Sequence, residues 1–163
     1  MIRILVVLIL VCIPSGVLGD ITVKFGPSPE LPIEIVKTLD GAAWTLDVAI
    51  YCIDHSDIVS AIEARAADGV RVRLILNKPS KDEKLADKLE ATGVDVRFTN
   101  VTMHHKFAIA DSTTLVTGSC NWTRSAFARY DEDLLTFKNE QPYIDAFRGE
   151  FEKLCSALQM LRQ

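Results

Sequence analysis

A chain of 163 residues, 48% of them hydrophobic, is long enough for one domain with a real core and too short for two comfortable ones. Its 18 basic residues stand against 22 acidic ones, a net charge of −4. That balance excludes the broad basic surface of a typical nucleic-acid binder, so a polyanionic substrate would have to be met by local positive potential.

Residues 1–19, MIRILVVLILVCIPSGVLG, combine one positive charge at Arg3 with an apolar run from Ile4 to Ile13 and a small-residue ending before Asp20. This is the build of a secretory signal peptide. The apolar run is about half the roughly 20 residues that a membrane span needs. Cleavage after Gly19 is expected, giving an exported, periplasmic or secreted protein whose domain covers 20–163, with an uncleaved membrane anchor as the alternative. Without the leader, Cys52, Cys120 and Cys155 remain. An odd number excludes a complete disulfide framework, and none has the C-x-x-C spacing of a metal site, so buried thiols are expected.

After the leader, ITVKF (21–25) reads as a strand and Pro29 to Leu39 as a helix stopped by Gly41. TLDVAIYCI (45–53) is apolar on both faces, as in a covered strand. Ser56 starts a helix to about Ala67, ended by Gly69, and VRVRLIL (70–76) is the next strand. The charged stretch 81–92 reads as a surface helix and VDVRF (94–98) as a fourth strand. Strands alternating with helices predict an α/β fold with a mixed, largely parallel sheet flanked by helices. HHKFAIAD and TTLVTGS form a hairpin turning at 111–113, EDLLTF (132–137) adds a strand, and Pro142 opens a last helix with apolar residues at helical spacing.

The chemistry concentrates in this second half. Side chains alternate along a strand, so His104 and Lys106 share one face while His105 and Phe107 share the other. Ser119 and Asn121 lie at the open end of the hairpin, where His104 and Lys106 also lie, and Gly118 is expected to let the backbone approach a ligand. An imidazole can serve as nucleophile or general acid and base near neutral pH. The ammonium, hydroxyl and carboxamide are donors suited to the non-bridging oxygens of a phosphodiester. Glu132, opening the next strand, is placed to hold the second ring nitrogen of His104 and support the imidazolium.

H-x-K-x4-D at His104, Lys106 and Asp111, then G-S-x-N at Gly118, Ser119 and Asn121, with an acidic residue at Glu132, resembles the signature of the phospholipase D superfamily. A single copy on a short chain is similar to the one-motif endonucleases of that superfamily, and the M-H-H-K-F and N-W-T wording to its mitochondrial cardiolipin hydrolase and Zucchini branch. Asp133 departs from the Asn expected in many relatives. The resemblance implies a phospholipase D/nuclease-like sandwich over about 21–160. It further implies a two-step hydrolysis through a phosphohistidine, with no metal and no cofactor. That mechanism needs a second histidine to protonate the leaving oxygen, and His105 points away. A twofold homodimer would bring His104 from each subunit to one shared site.

The expected function is therefore a non-specific endonuclease acting on DNA and RNA, with a phospholipid such as cardiolipin as the alternative substrate. A catalytically silent nucleic-acid-binding protein of the same fold is the third reading. His105 is read as a packing residue, Asp111 as a hairpin hydrogen-bonding residue rather than a chemical one, and Trp122 as core. His55, at the C-terminal end of a central strand, has a minor claim to line the cleft.

Overall fold

The computed structural model describes residues 19–77 and 83–160, so the expected leader, apart from Gly19, lies outside the described residues. Among the described residues, seven strands and five helices follow one another as β1 (Asp20–Phe25), α1 (Glu30–Asp40), β2 (Thr45–Ile50), α2 (Ser56–Ala67), β3 (Arg71–Leu76), α3 (Glu83–Glu90), β4 (Asp95–Phe98), β5 (Lys106–Ala110), β6 (Thr114–Gly118), α4 (Arg124–Arg129), β7 (Asp133–Lys138) and α5 (Gln141–Met160). All strands join one sheet in the order β1-β7-β6-β5-β2-β3-β4.

The α/β class and the mixed sheet are as the sequence predicts, but the balance of directions is not. Only β2-β3 and β3-β4 pair in parallel, while β1-β7, β7-β6, β6-β5 and β5-β2 are antiparallel. The parallel pairs are those joined by the helical crossovers α2 and α3. β1 breaks the expected series: it leaves β2 and pairs with β7 at the far edge, which is why five of its six residues are exposed. A strand-helix-strand pattern specifies what lies between two strands in sequence, and not whether they are neighbours in the sheet.

The central strands are apolar on both faces because both are covered. On one face, Leu31, Ile35 and Leu39 of α1 and Ile58 and Ile62 of α2 pack with Val48, Ala108 and Val116. On the other, Ile144 and Phe151 of α5 pack with Ala49, Ile75, Phe107, Ile109 and Leu115. Each fully buried Leu, Ile or Phe is worth about 1.5–3 kcal/mol, so these two layers, rather than surface pairs, hold the sheet. An ion pair is largely buried with them. Arg73 of β3 forms two 2.7 Å bonds to Asp47 of β2, a third to Glu152 of α5, and lies 4.8 Å from the Phe151 ring. The forked guanidinium meets its carboxylates in the geometry that makes such a burial tolerable.

Strand direction gathers the interesting loops at one end of the sheet. Ile50, at the end of β2, lies opposite Lys106, at the start of β5, and Gly118, at the end of β6, lies opposite Leu134. Phe25, at the end of β1, lies opposite Asp133.

Candidate active site

The hairpin alternation holds. Ala108 and Ala110 face the α1 and α2 layer, and Phe107 and Ile109 face α5. His104 lies just before β5, and Lys106 is its first residue, only 6% exposed. The Lys106 Nζ donates to the His104 carbonyl at 2.8 Å and sits 3.1 Å from His104 Nδ1. Burial pulls the Lys106 amine below the ordinary lysine range, with Glu132 opposing that shift. Tyr51, just beyond β2, closes the other side: its ring centroid is 4.5 Å from that of His104 and 5.3 Å from Lys106 Nζ.

His105 points away, as alternation requires. Its Nε2 is 3.4 Å from Glu150 of α5, and its ring stands edge-on to Phe107 at 5.6 Å.

Ser119 and Glu132 meet directly. The Ser119 hydroxyl donates to Glu132 Oε2 and accepts from Asp133 N at 3.0 Å. Gly118 explains this closeness in a way the sequence reading did not foresee. A Cβ there would lie 2.1 Å from the Asp133 carbonyl oxygen, so the missing side chain lets β6 approach β7 closely. The chain bends immediately after Gly118, which frees Ser119 from the strand alternation of Leu115 and Thr117. The Glu132 carboxylate thus has Ser119 as its hydrogen-bond partner, where a bond to His104 was expected. Its charge still reaches the site: after burial, it is the main influence raising the Cys120 thiol, to about 12, and it also acts on Lys106. Asn121 is partly buried, with an Oδ1 that has no hydrogen-bond partner among the described residues.

Asp111 stands at the other end of β5. Its carboxylate accepts from the backbone N–H groups of Ala43, Trp44 and Thr45 at 2.7–2.8 Å. Burial pushes its acidity the other way, but the three donors prevail and hold the carboxyl below its usual 3.8. These bonds go to the entry of β2, where the sequence suggests bonds within the hairpin itself.

Cys120 and Cys155 are buried thiols, and Cys52 is half-buried. Trp122 is 1% exposed and belongs to the core. Two features escape the sequence reading. Tyr51 is read there only as part of a strand, and α4 is missed although Thr123 caps it by accepting from Ala126 N at 3.2 Å. A Thr followed by Ala and Arg at helix-forming positions is the signal that could have found it.

A one-chain site with a buried lysine on a histidine, and with a hydroxyl and the NH2 group of a carboxamide at the same end of the sheet, can bind and protonate an oxyanion. Comparison with known proteins gives this geometry its context. The family model described as "Cardiolipin synthase, PLD-like domain" matches residues 35–155. Mitochondrial cardiolipin hydrolase of Chlamydomonas reinhardtii is 36% identical over 135 residues, covering 80% of this chain and 60% of that protein. The human protein of the same name is 30% identical, covering 74% of this chain and 49% of its own length. This chain therefore spans half to three fifths of these relatives. Among solved structures, the phospholipase D family member Nuc from Salmonella typhimurium superposes with a TM-score of 0.75 at 21% identity, covering 85% of this chain and 95% of Nuc.

Proposed function

This chain belongs to the PLD-like, phospholipase D superfamily, and from that membership we propose that it is a metal-independent phosphodiesterase that cuts DNA and RNA as an endonuclease. The carrying observation is the pair of His104 and a buried Lys106 at the end of the sheet where Ser119 and Glu132 also meet. In the proposed reaction, an unprotonated ring nitrogen of His104 attacks phosphorus, and the bond to the leaving oxygen breaks as that oxygen takes a proton from His104 of the second subunit. That second histidine, now neutral, removes a proton from water. The resulting hydroxide displaces the first His104 from phosphorus and restores both groups.

Lys106 and Asn121 bind the non-bridging oxygens, Ser119 is a supporting donor, and Glu132 lends its negative charge to the imidazolium. Asp111 and Gly118 shape the hairpin. One chain supplies one such histidine, so the working unit is a homodimer with a shared site. The leader supports export to the periplasm or the medium. A relative's name adds to the nucleic-acid reading: the virion nicking-joining enzyme of monkeypox virus is 33% identical over 100 residues.

The test is cleavage of plasmid and single-stranded DNA with and without EDTA, by wild type and by His104→Ala, with acid-labile labelling of the protein by a phosphorus-labelled substrate. Cleavage that survives EDTA, a wild-type protein that carries label, and an inert, unlabelled variant are expected. Loss of activity in EDTA, or activity in the variant, defeats the reading. The second reading, phospholipid hydrolysis, is favoured by the cardiolipin hydrolases among the relatives. Turnover of cardiolipin vesicles in preference to DNA would establish it.

A further inference from the structure

Next to the proposed site, the segments that follow β2 and β6 are laced together. The Trp122 carbonyl accepts from Asp54 N at 3.0 Å and His55 N at 3.2 Å, and Asp54 Oδ1 accepts from Arg124 N at 2.9 Å. This lacing places His55 and Arg124 beside Asn121 and on the wall of a cavity of about 450 Å3, whose other walls include Pro27, Pro29, Pro32 and Phe127. That size suits a nucleotide-sized ligand, and so does a mostly apolar lining with a few polar groups.

Two of the lining residues are unspent. Arg65, Arg73, Arg97 and Arg148 each hold a carboxylate. Arg124 is exposed, and its guanidinium has no hydrogen-bond or ion-pair partner among the described residues. Neither ring nitrogen of His55 is hydrogen-bonded among the described residues, and Nδ1 is buried. The imidazole can therefore offer a ring nitrogen to a ligand as a hydrogen-bond donor. In an acidic chain, these are two unpaired groups close to the proposed phosphate ligand Asn121, Arg124 three residues beyond it and His55 bonded through its backbone N–H to the carbonyl of the adjoining Trp122.

We propose that this cavity is a subsite for the nucleotide next to the cleaved bond, with Arg124 and His55 donating to its phosphate and the proline and Phe127 walls receiving its ring and sugar. The assignment rests on the nucleic-acid reading above. A fatty chain would leave both donors facing hydrocarbon, whereas a nucleotide satisfies them and still uses the apolar walls. Phe127 is 5% exposed, so the ring rests against prolines and an aromatic edge rather than stacking on an open aromatic face.

The experiment compares wild type with Arg124→Gln and His55→Gln on a short single-stranded oligonucleotide, on bis(p-nitrophenyl) phosphate, which has no flanking nucleotide, and on cardiolipin vesicles. For Arg124→Gln, KM on the oligonucleotide is expected to rise about tenfold, with kcat on the small diester unchanged. The slope of log(1/KM) against log salt is expected to flatten by about 0.7, the signature of one lost phosphate contact on a single strand. His55→Gln is expected to shift KM in the same direction. An unchanged oligonucleotide KM in the exposed Arg124 variant, an equal loss on the small diester, or a loss confined to cardiolipin overturns the subsite. A wild-type protein inert on both the small diester and the oligonucleotide overturns the function itself, and the subsite with it.

Discussion

Lys106 is a cation held nearly out of water at the start of β5, and burial lowers its amine below the ordinary lysine range. In the unfolded chain the same amine titrates at the ordinary 10.5, so the unfolded state holds its proton more tightly. The charged form thus costs the fold stability at neutral pH, and the cost fades as pH rises through the folded value toward 10.5. Lys106→Met is therefore expected to raise Tm at pH 7 by about 2–4 °C, the equivalent of about 1 kcal/mol in a chain of this size, while abolishing turnover. Thermal melts at pH 7 and pH 10 check this, with the gain shrinking at the higher pH. A lower Tm at pH 7 would show that the contacts to His104 outweigh the burial cost.

Among the elements, the hairpin of β5 and β6 is anchored by Asp111, whose three backbone donors tie it to the entry of β2. Asp111→Asn keeps a residue that tolerates the left-handed φ of 51° but offers one acceptor oxygen in place of two. A loss of about 2 kcal/mol is expected in urea unfolding at pH 7, with kcat of the folded enzyme retained. Because the carboxyl lies below its usual 3.8, its stabilisation is present above that value and is lost as pH falls through the folded one. Wild type and variant should converge in acid. A variant as stable as wild type at pH 7 would refute the anchor.

Much of this geometry is legible in the residues, because alternation along β5 is a local property: it separates His104 and Lys106 from His105 before any fold is known. The place of Ser119 is not legible. It depends on the missing Cβ of Gly118 and on a bend that only the neighbouring strand reveals. Tyr51 and the His55 cavity depend on strands far apart in sequence, as does the location of β1 at the outer edge.

For the whole molecule, the proposed shared site makes a quantitative claim. If each active centre needs His104 from both subunits, then wild type co-expressed with an equal amount of His104→Ala yields about one quarter of the activity of the same total protein, because only the wild-type pairs work. Independent sites would give one half. The unpaired Arg124 and the buried Lys106 also show how a chain with a net charge of −4 can still offer positive potential locally.

The edge pairing of β1 with β7 carries a further consequence. It joins Asp20 to Lys138 and Phe25 to Asp133, and Gly26 N donates to the Glu132 carbonyl at 2.7 Å. The strip of backbone that presents Glu132 is thus sutured to the first strand of the domain. A ribosome must make nearly the entire domain before that seam can close, since contacts so distant in sequence form late. In a nascent or truncated fragment β1 has no β7 to pair with, and Glu132 is set in place only when the first and last strands meet.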